Sequence, residues 1–328
     1  MLRLDPFKVE RPTTVDEAVA LLAAHGAKAR VLAGGTDLLP NLKHGLHQPE
    51  LVVSIGGVAG LRGVKDAGEV LEIGALTTLA ELERHPLLAQ FAPGLARAAA
   101  QVAGPQLRRM GTIGGNLCLD TRCLYYNQSA FWREALGYCL KKDGSVCHVV
   151  ADGKKCVAAA SNDTATMLMA LGAEVELRAR DGTRRVPLDA FYLPDGAKNT
   201  VVDEGELLVC VRVPKGSPAR REGYAKLRHR NSIDFPLLSV AVALDVEGVA
   251  PGTVTGGLLV VSALQARPLR VSLDAVRGRA LDDGAIEELG RLAHGRCHPM
   301  TNIADDPAWR RDMVPVLVRR AVADALHA

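Results

Sequence analysis

Five of the seven cysteines in this 328-residue chain fall in one stretch, at Cys118, Cys123, Cys139, Cys147 and Cys156. Thiols crowded in this way pair as disulfides, ligate a metal or cluster, or pack as small apolar groups. From Cys123 onward the spacing is C-x15-C-x7-C-x8-C. Structural zinc favours close C-x2–4-C pairs, which are missing here. The ferredoxin runs of iron–sulfur proteins are missing too, and disulfides are disfavoured in a reducing compartment. On spacing alone an iron–sulfur cluster, zinc and unliganded thiols all stay open. The residues from Asp120 to Lys155 are polar and turn-rich with little periodicity, and an excursion of that length needs something to order it. Cys210, in an alternating stretch, and Cys297, after a helical one, are expected to be ordinary buried thiols.

Two glycine pairs offer a second kind of chemistry. Ala33-Gly34-Gly35-Thr36-Asp37 follows a short apolar run, and Thr112-Ile113-Gly114-Gly115-Asn116 sets a hydroxyl before its glycines and an amide after them. Glycine reaches positive φ and lets backbone N–H groups crowd an anion, so each pair suits one side of a diphosphate. A lone Gly-Gly is more often a tight turn; two with the same chemistry make a shared anion site an even proposition. Neither shows GxGxxG spacing with an acid about 20 residues on, and GxxxxGK[ST] is absent, so Rossmann and P-loop sites are disfavoured.

These residues need elements to hold them. Residues 15–25 read as a helix capped by Thr13 or Thr14. Strands are expected at 29–33, 51–55 and 70–73, and helical stretches at 79–88 and 95–102. A buried helix follows Asp163, then an alternating strand and a hairpin turn at Asp181 to Thr183. Beyond residue 224, long strands at 237–246 and 254–263 precede helices near 285–293 and 309–326. The fold class is α+β: a small N-terminal unit (1–55), a larger one (56–216) with an insertion at about 120–157, and a C-terminal antiparallel sheet with helices (217–328). The boundary falls in the Pro, Gly, Ser and charge cluster at 214–221.

The bulk composition narrows the function. Charge is nearly balanced, 40 basic against 37 acidic residues, and the short basic runs are scattered, which argues against nucleic acid. No window offers the roughly 20 apolar residues of a membrane span, and the first residues lack an export signal, so a cytoplasmic location is expected. His44, His47, His229, His294 and His298 have no convincing ligand spacing and are read as surface or packed residues.

Ala33 to Leu38, Ile73 to Thr78, Arg108 to Asn116 and Tyr224 to Arg230 together resemble the FAD-binding medium subunits of molybdenum hydroxylases, over nearly the whole chain. That family passes quickly from the second glycine loop to the next helix. The cysteine-bearing insertion departs from it and resembles the β subunit of the 4-hydroxybenzoyl-CoA reductases. The resemblance implies FAD and a 4Fe-4S cluster as cofactors, with Cys123, Cys139, Cys147 and Cys156 as ligands and Cys118 as a bystander. It implies a dimer of heterotrimers with a molybdenum-cofactor large subunit and a 2Fe-2S small subunit. Reduced ferredoxin would be the donor for reductive dehydroxylation of 4-hydroxybenzoyl-CoA at molybdenum, and no group of this chain would touch that substrate.

On the same pattern Ala33, Gly34, Gly35, Thr36 and Asp37 form the first diphosphate loop, and Thr112, Gly114, Gly115 and Asn116 the second. Asp163 matches an acid near the cofactor, though a helix N-cap explains it equally. Lys226 matches a lysine close to the flavin ring, whereas a strand lysine taken alone is usually solvated. Val102 and Leu208 are apolar walls or core, and Arg230 with Asp234 is an expected ion pair. Two alternatives stand beside this reading: a xanthine or carbon monoxide dehydrogenase-like flavin subunit passing electrons to NAD or quinone, and a zinc-stabilised binding or scaffold protein.

Overall fold

The computed structural model describes residues 2–248 and 251–327. Its strands are β1 (Lys8–Glu10), β2 (Ala29–Leu32), β3 (Leu51–Ser54), β4 (Val64–Asp66), β5 (Val70–Gly74), β6 (Glu174–Ala179), β7 (Gly182–Pro187), β8 (Leu207–Pro214), β9 (Arg220–Leu227), β10 (Leu238–Glu247), β11 (Thr253–Ser262) and β12 (Leu269–Val271). They form three sheets. The first is parallel, ordered β1-β3-β2; the second is ordered β4-β5-β8-β6-β7 and the third β12-β11-β10-β9, both antiparallel.

The third sheet shows most plainly how pattern becomes packing. Leu238 to Leu244 of β10 are all buried. Successive side chains leave a strand on opposite faces, and here the two faces belong to different cores. Ala241 and Ala243 join Met167 and Ala165 of the helix Asp163–Ala170. Leu238, Val240, Val242 and Leu244 join Val314, Leu317, Val318 and Ala321 of the helix Pro307–Leu326. A strand covered on both sides reads as a continuous apolar run.

Local chemistry explains most boundaries. Thr14, not Thr13, caps the first helix, in a reciprocal capping box with Glu17. Thr78 and Glu81 repeat the device. The expected helix 79–88 is two pieces, Leu79–Leu82 and Pro86–Phe91, because Pro86 has no N–H to continue the first and suits the opening turn of the second. The hairpin joining β6 to β7 turns at Arg180 and Asp181, slightly earlier than the expected 181–183, since Gly182 already pairs with Ala179 and Thr183 with Arg178. Among the described residues no helix is long and apolar enough to cross a membrane.

Candidate functional site

A cleft of about 650 Å³ is lined by both glycine loops, by residues of β2 and β8, and by the loop between β9 and β10. The two loops work differently. Gly34 lies flat against residue 110: a Cβ there would stand 1.7 Å from the Met110 carbonyl oxygen, so no other residue fits. Gly35 has φ +73°, the left-handed region where side chains are strained. No backbone carbonyl among the described residues accepts from the amides of Gly34, Gly35, Thr36 or Asp37. This loop is a nest of free donors facing a cleft, the arrangement that suits an anion.

The second loop departs from the expected device. Gly114 and Gly115 sit inside a short helix, Ile113–Leu117, with no positive φ. Their amides are already used: Gly114 donates to the Ala75 carbonyl at 3.0 Å and Gly115 to Thr112 Oγ1 at 3.2 Å. Glycine is needed at 114 for closeness, since a Cβ would lie 2.9 Å from Ala75 Cβ. The loop therefore supplies shape and the Thr112 hydroxyl rather than a second nest. Asn116 anchors it, accepting at Oδ1 from the Thr164 amide at 3.2 Å and hydroxyl at 2.5 Å.

Ala33, Thr36, Asp37, Val102, Asn116, Asp163 and Leu208 all line the same cleft. Asp163 is not the helix cap; Asn162 holds that position. Its carboxylate, 2% exposed, accepts instead from the Tyr224 hydroxyl at 2.7 Å and the Lys226 ammonium at 2.9 Å. Lys226 also donates to the Gln101 carbonyl at 3.0 Å and does not line the cleft. Burial pushes the Asp163 carboxyl up and the Lys226 ammonium down, each opposed by the other's charge. Arg230 and Asp234 do pair, through Nε at 3.0 Å, and Asp234 lies at the cleft wall.

Several cleft residues carried no sequence signal. His47 lines it, and burial lowers its pKa to about 4, leaving it neutral near pH 7. The Asp37 carboxyl is raised to about 6, chiefly by burial and further by Asp120, against the nearby Arg122 guanidinium 3.7 Å away. Arg122 in turn lies 4.3 Å over the ring of Phe235. Asn199 has a buried Nδ2 with no protein partner, and an unmet donor of this kind costs about 1–3 kcal/mol until an acceptor arrives. Cys118, expected to be a bystander, also faces the cleft.

The cysteine-bearing segment leaves the second loop and is closed at its base by Arg122 and Ala159, whose amides and carbonyls exchange two bonds of 2.8 Å. Asn302 clasps it again, accepting from the Leu124 amide at 2.7 Å and donating to the Val157 carbonyl at 2.5 Å. Between these points the only regular element is the helix Ala130–Ala135. Cys123, Cys139 and Cys156 are buried in one side-chain cluster with Leu46, Tyr126 and Ala158, while Cys147 is half-buried. Burial raises the Cys123 thiol to about 11. Among the described residues no group of three or more His, Cys, Asp or Glu side chains is arranged as a metal site. The thiols are neighbours rather than a preformed ligand set. Cys297 is fully buried as expected, and Cys210 only half so.

Comparison with known proteins places this geometry. Residues 5–216 match the FAD binding domain in molybdopterin dehydrogenase, and residues 223–325 the CO dehydrogenase flavoprotein C-terminal domain. The chain is 30% identical over 319 residues to the carbon monoxide dehydrogenase medium chain of Afipia carboxidovorans, covering 97% of this chain and 96% of that one. It is 35% identical over 253 residues to the aldehyde oxidoreductase FAD-binding subunit PaoB of Escherichia coli, covering 74% and 78%. A solved carbon monoxide dehydrogenase from Hydrogenophaga pseudoflava, lacking the Mo-pyranopterin moiety of its cofactor, superposes with a TM-score of 0.80 at 28% identity over 99% of both chains. The free amides of the first loop, the close-packed second loop and the orphaned Asn199 donor fit FAD, and the chain belongs to the FAD-binding medium subunits of the molybdenum hydroxylase family.

Proposed function

We propose that this chain is the flavin and iron–sulfur subunit of a molybdenum enzyme of the 4-hydroxybenzoyl-CoA reductase type. It relays electrons from reduced ferredoxin toward the 2Fe-2S clusters of a small subunit and the molybdenum site of a large one, within a dimer of heterotrimers. The observation that carries this reading is the burial of Cys123, Cys139 and Cys156 in one cluster inside a segment with almost no regular structure. Four thiolates, these and Cys147, are the donor set a 4Fe-4S cluster takes.

When bound, FAD exchanges one or two electrons and so joins one-electron centres to a two-electron reaction. The chain's own residues do the positioning. Gly34 to Asp37 present amides to the diphosphate, Thr112 adds a hydroxyl, and Val102 and Leu208 exclude water from the cleft. Asp163, fixed by Tyr224 and Lys226, offers an acceptor to cofactor hydroxyls. In this reading residues 1–55, 56–216 and 217–328 are the working units, and each of the three sheets lies within one of them.

Iron and acid-labile sulfide analysis of the purified chain tests the assignment. Cys139→Ser is expected to abolish iron and slow flavin reduction by ferredoxin while FAD stays bound. Unchanged iron in that variant would refute the ligand set. The near full-length likeness to carbon monoxide dehydrogenase medium chains favours a second reading, a flavin subunit passing electrons outward to NAD or quinone. That reading predicts flavin without iron in the same analysis.

A further inference from the structure

Lys141 buries a cation beside the thiol cluster. Its ammonium donates to Asp120 Oδ1 at 2.6 Å, to Thr121 Oγ1 at 2.6 Å and to the Thr121 carbonyl at 3.1 Å, which occupies its three protons. It also lies 4.1 Å from the centroid of the Tyr126 ring, and the side chain is 5% exposed. Withdrawing an ammonium this far from water is costly, and only well-placed partners offset it.

Each partner faces two ways. Asp120 is part of the flavin cleft wall. Its other oxygen accepts from the Tyr126 hydroxyl at 2.8 Å, and Tyr126 packs among Cys123, Cys139 and Cys156. Thr121 passes a hydrogen bond of 2.6 Å to the Gly196 carbonyl, while the Gly196 amide donates to the Cys156 carbonyl at 2.8 Å. A Cβ at Gly196 would stand 2.9 Å from the Ala158 nitrogen, so this strap lies directly on the thiol segment. The next residues, Ala197 to Thr200, line the cleft. The cleft and the thiol cluster thus share one polar wall.

We infer that Lys141 is a positioning residue that couples the thiol cluster to the flavin cleft, setting the charge balance of both through Asp120, Thr121 and Tyr126. The thiol half of this inference rests on the reading of the cysteines as cluster ligands. A centre held by four thiolates is anionic and gains a further negative charge on accepting one electron. A buried cation beside it favours the reduced form. On the cleft side the same cation neutralises Asp120, which would otherwise repel a diphosphate. The Lys141 field and the hydrogen bonds from Lys141 and Tyr126 hold the Asp120 carboxyl below its ordinary range despite its burial.

The test uses the full chain with Lys141→Met, Lys141→Arg and Asp120→Asn. FAD affinity is measured by fluorescence titration of the deflavinated chain, and the cluster's midpoint potential by EPR-monitored reductive titration. Lys141→Met is expected to weaken FAD binding about tenfold and to lower the potential by about 59 mV, a tenfold change in a one-electron equilibrium. Lys141→Arg restores most of both. Asp120→Asn, which frees the ammonium's charge, moves both quantities the opposite way, a sign reversal that general loosening of the fold does not produce. Unmoved potential and FAD affinity in a folded Lys141→Met chain overturn the inference, and movement of one without the other refutes the coupling. An iron-free wild-type chain instead overturns the cluster reading and the thiol half with it.

Discussion

In the proposed reading Asp37 is a carboxylate on the loop that holds an anion. Its pKa of about 6 stands above the ordinary 3.8, so the folded chain keeps a proton that the unfolded chain has released between those values. Its contribution to stability therefore falls as pH rises through that window. The same proton removes a negative charge from the loop proposed to hold the diphosphate. FAD affinity of the isolated chain is expected to rise as pH is lowered from about 7 to about 5, and Asp37→Asn flattens the profile. A wild-type profile with no inflection near pH 6 would show that Asp37 does not feel the cofactor. The glycines and Thr112 were legible because backbone closeness restricts residue type. Asn199 and His47 were not, since an amide or imidazole becomes a cleft residue only through the path of distant chain. Lys226, expected beside the flavin ring, has its ammonium engaged by Asp163 and Gln101, partners that no local pattern names.

At the level of elements, the helix Asp163–Ala170 and strand β9 are joined by a buried ion pair at the edge of the cleft. Removing one member of such a pair strands the other charge and costs about 3–5 kcal/mol. Lys226→Met is expected to lose stability in that range by chemical denaturation. Adding Asp163→Asn should recover a good part of the loss, since the double variant leaves no unpaired charge. Strictly additive losses would mean that the two groups do not act as a unit. Long elements were readable because period carries the information, as along β10, where alternate residues serve two cores. The helix Ile113–Leu117 was invisible as a helix: five residues with two glycines have no helical signal, and tertiary contacts to Ala75 and Thr77 impose it.

For the whole molecule, the insertion is fastened to the C-terminal part by Asn302, fully buried and 145 residues from its partner Val157. Asn302→Ala removes the side-chain bond to Val157 while leaving the main-chain bond to Leu124. Limited proteolysis is expected to cut residues 123–158 several-fold faster, with FAD retained and stability lowered by about 1–3 kcal/mol. Equal cleavage rates would mean that the clasp is idle. No local pattern announces Asn302, because the need for it arises only once the insertion and the C-terminal loop are side by side. The Arg122–Ala159 pair gives this arrangement a consequence for redesign of the chain. Because the chain leaves and rejoins the body at adjacent residues, the main-chain path on either side is nearly indifferent to what lies between, and loop-closure cost grows only slowly with length. Shortening or replacing the segment by engineering is therefore expected to leave the body folded, provided that whatever fills the gap also rebuilds the wall at Asp120 and Gly196.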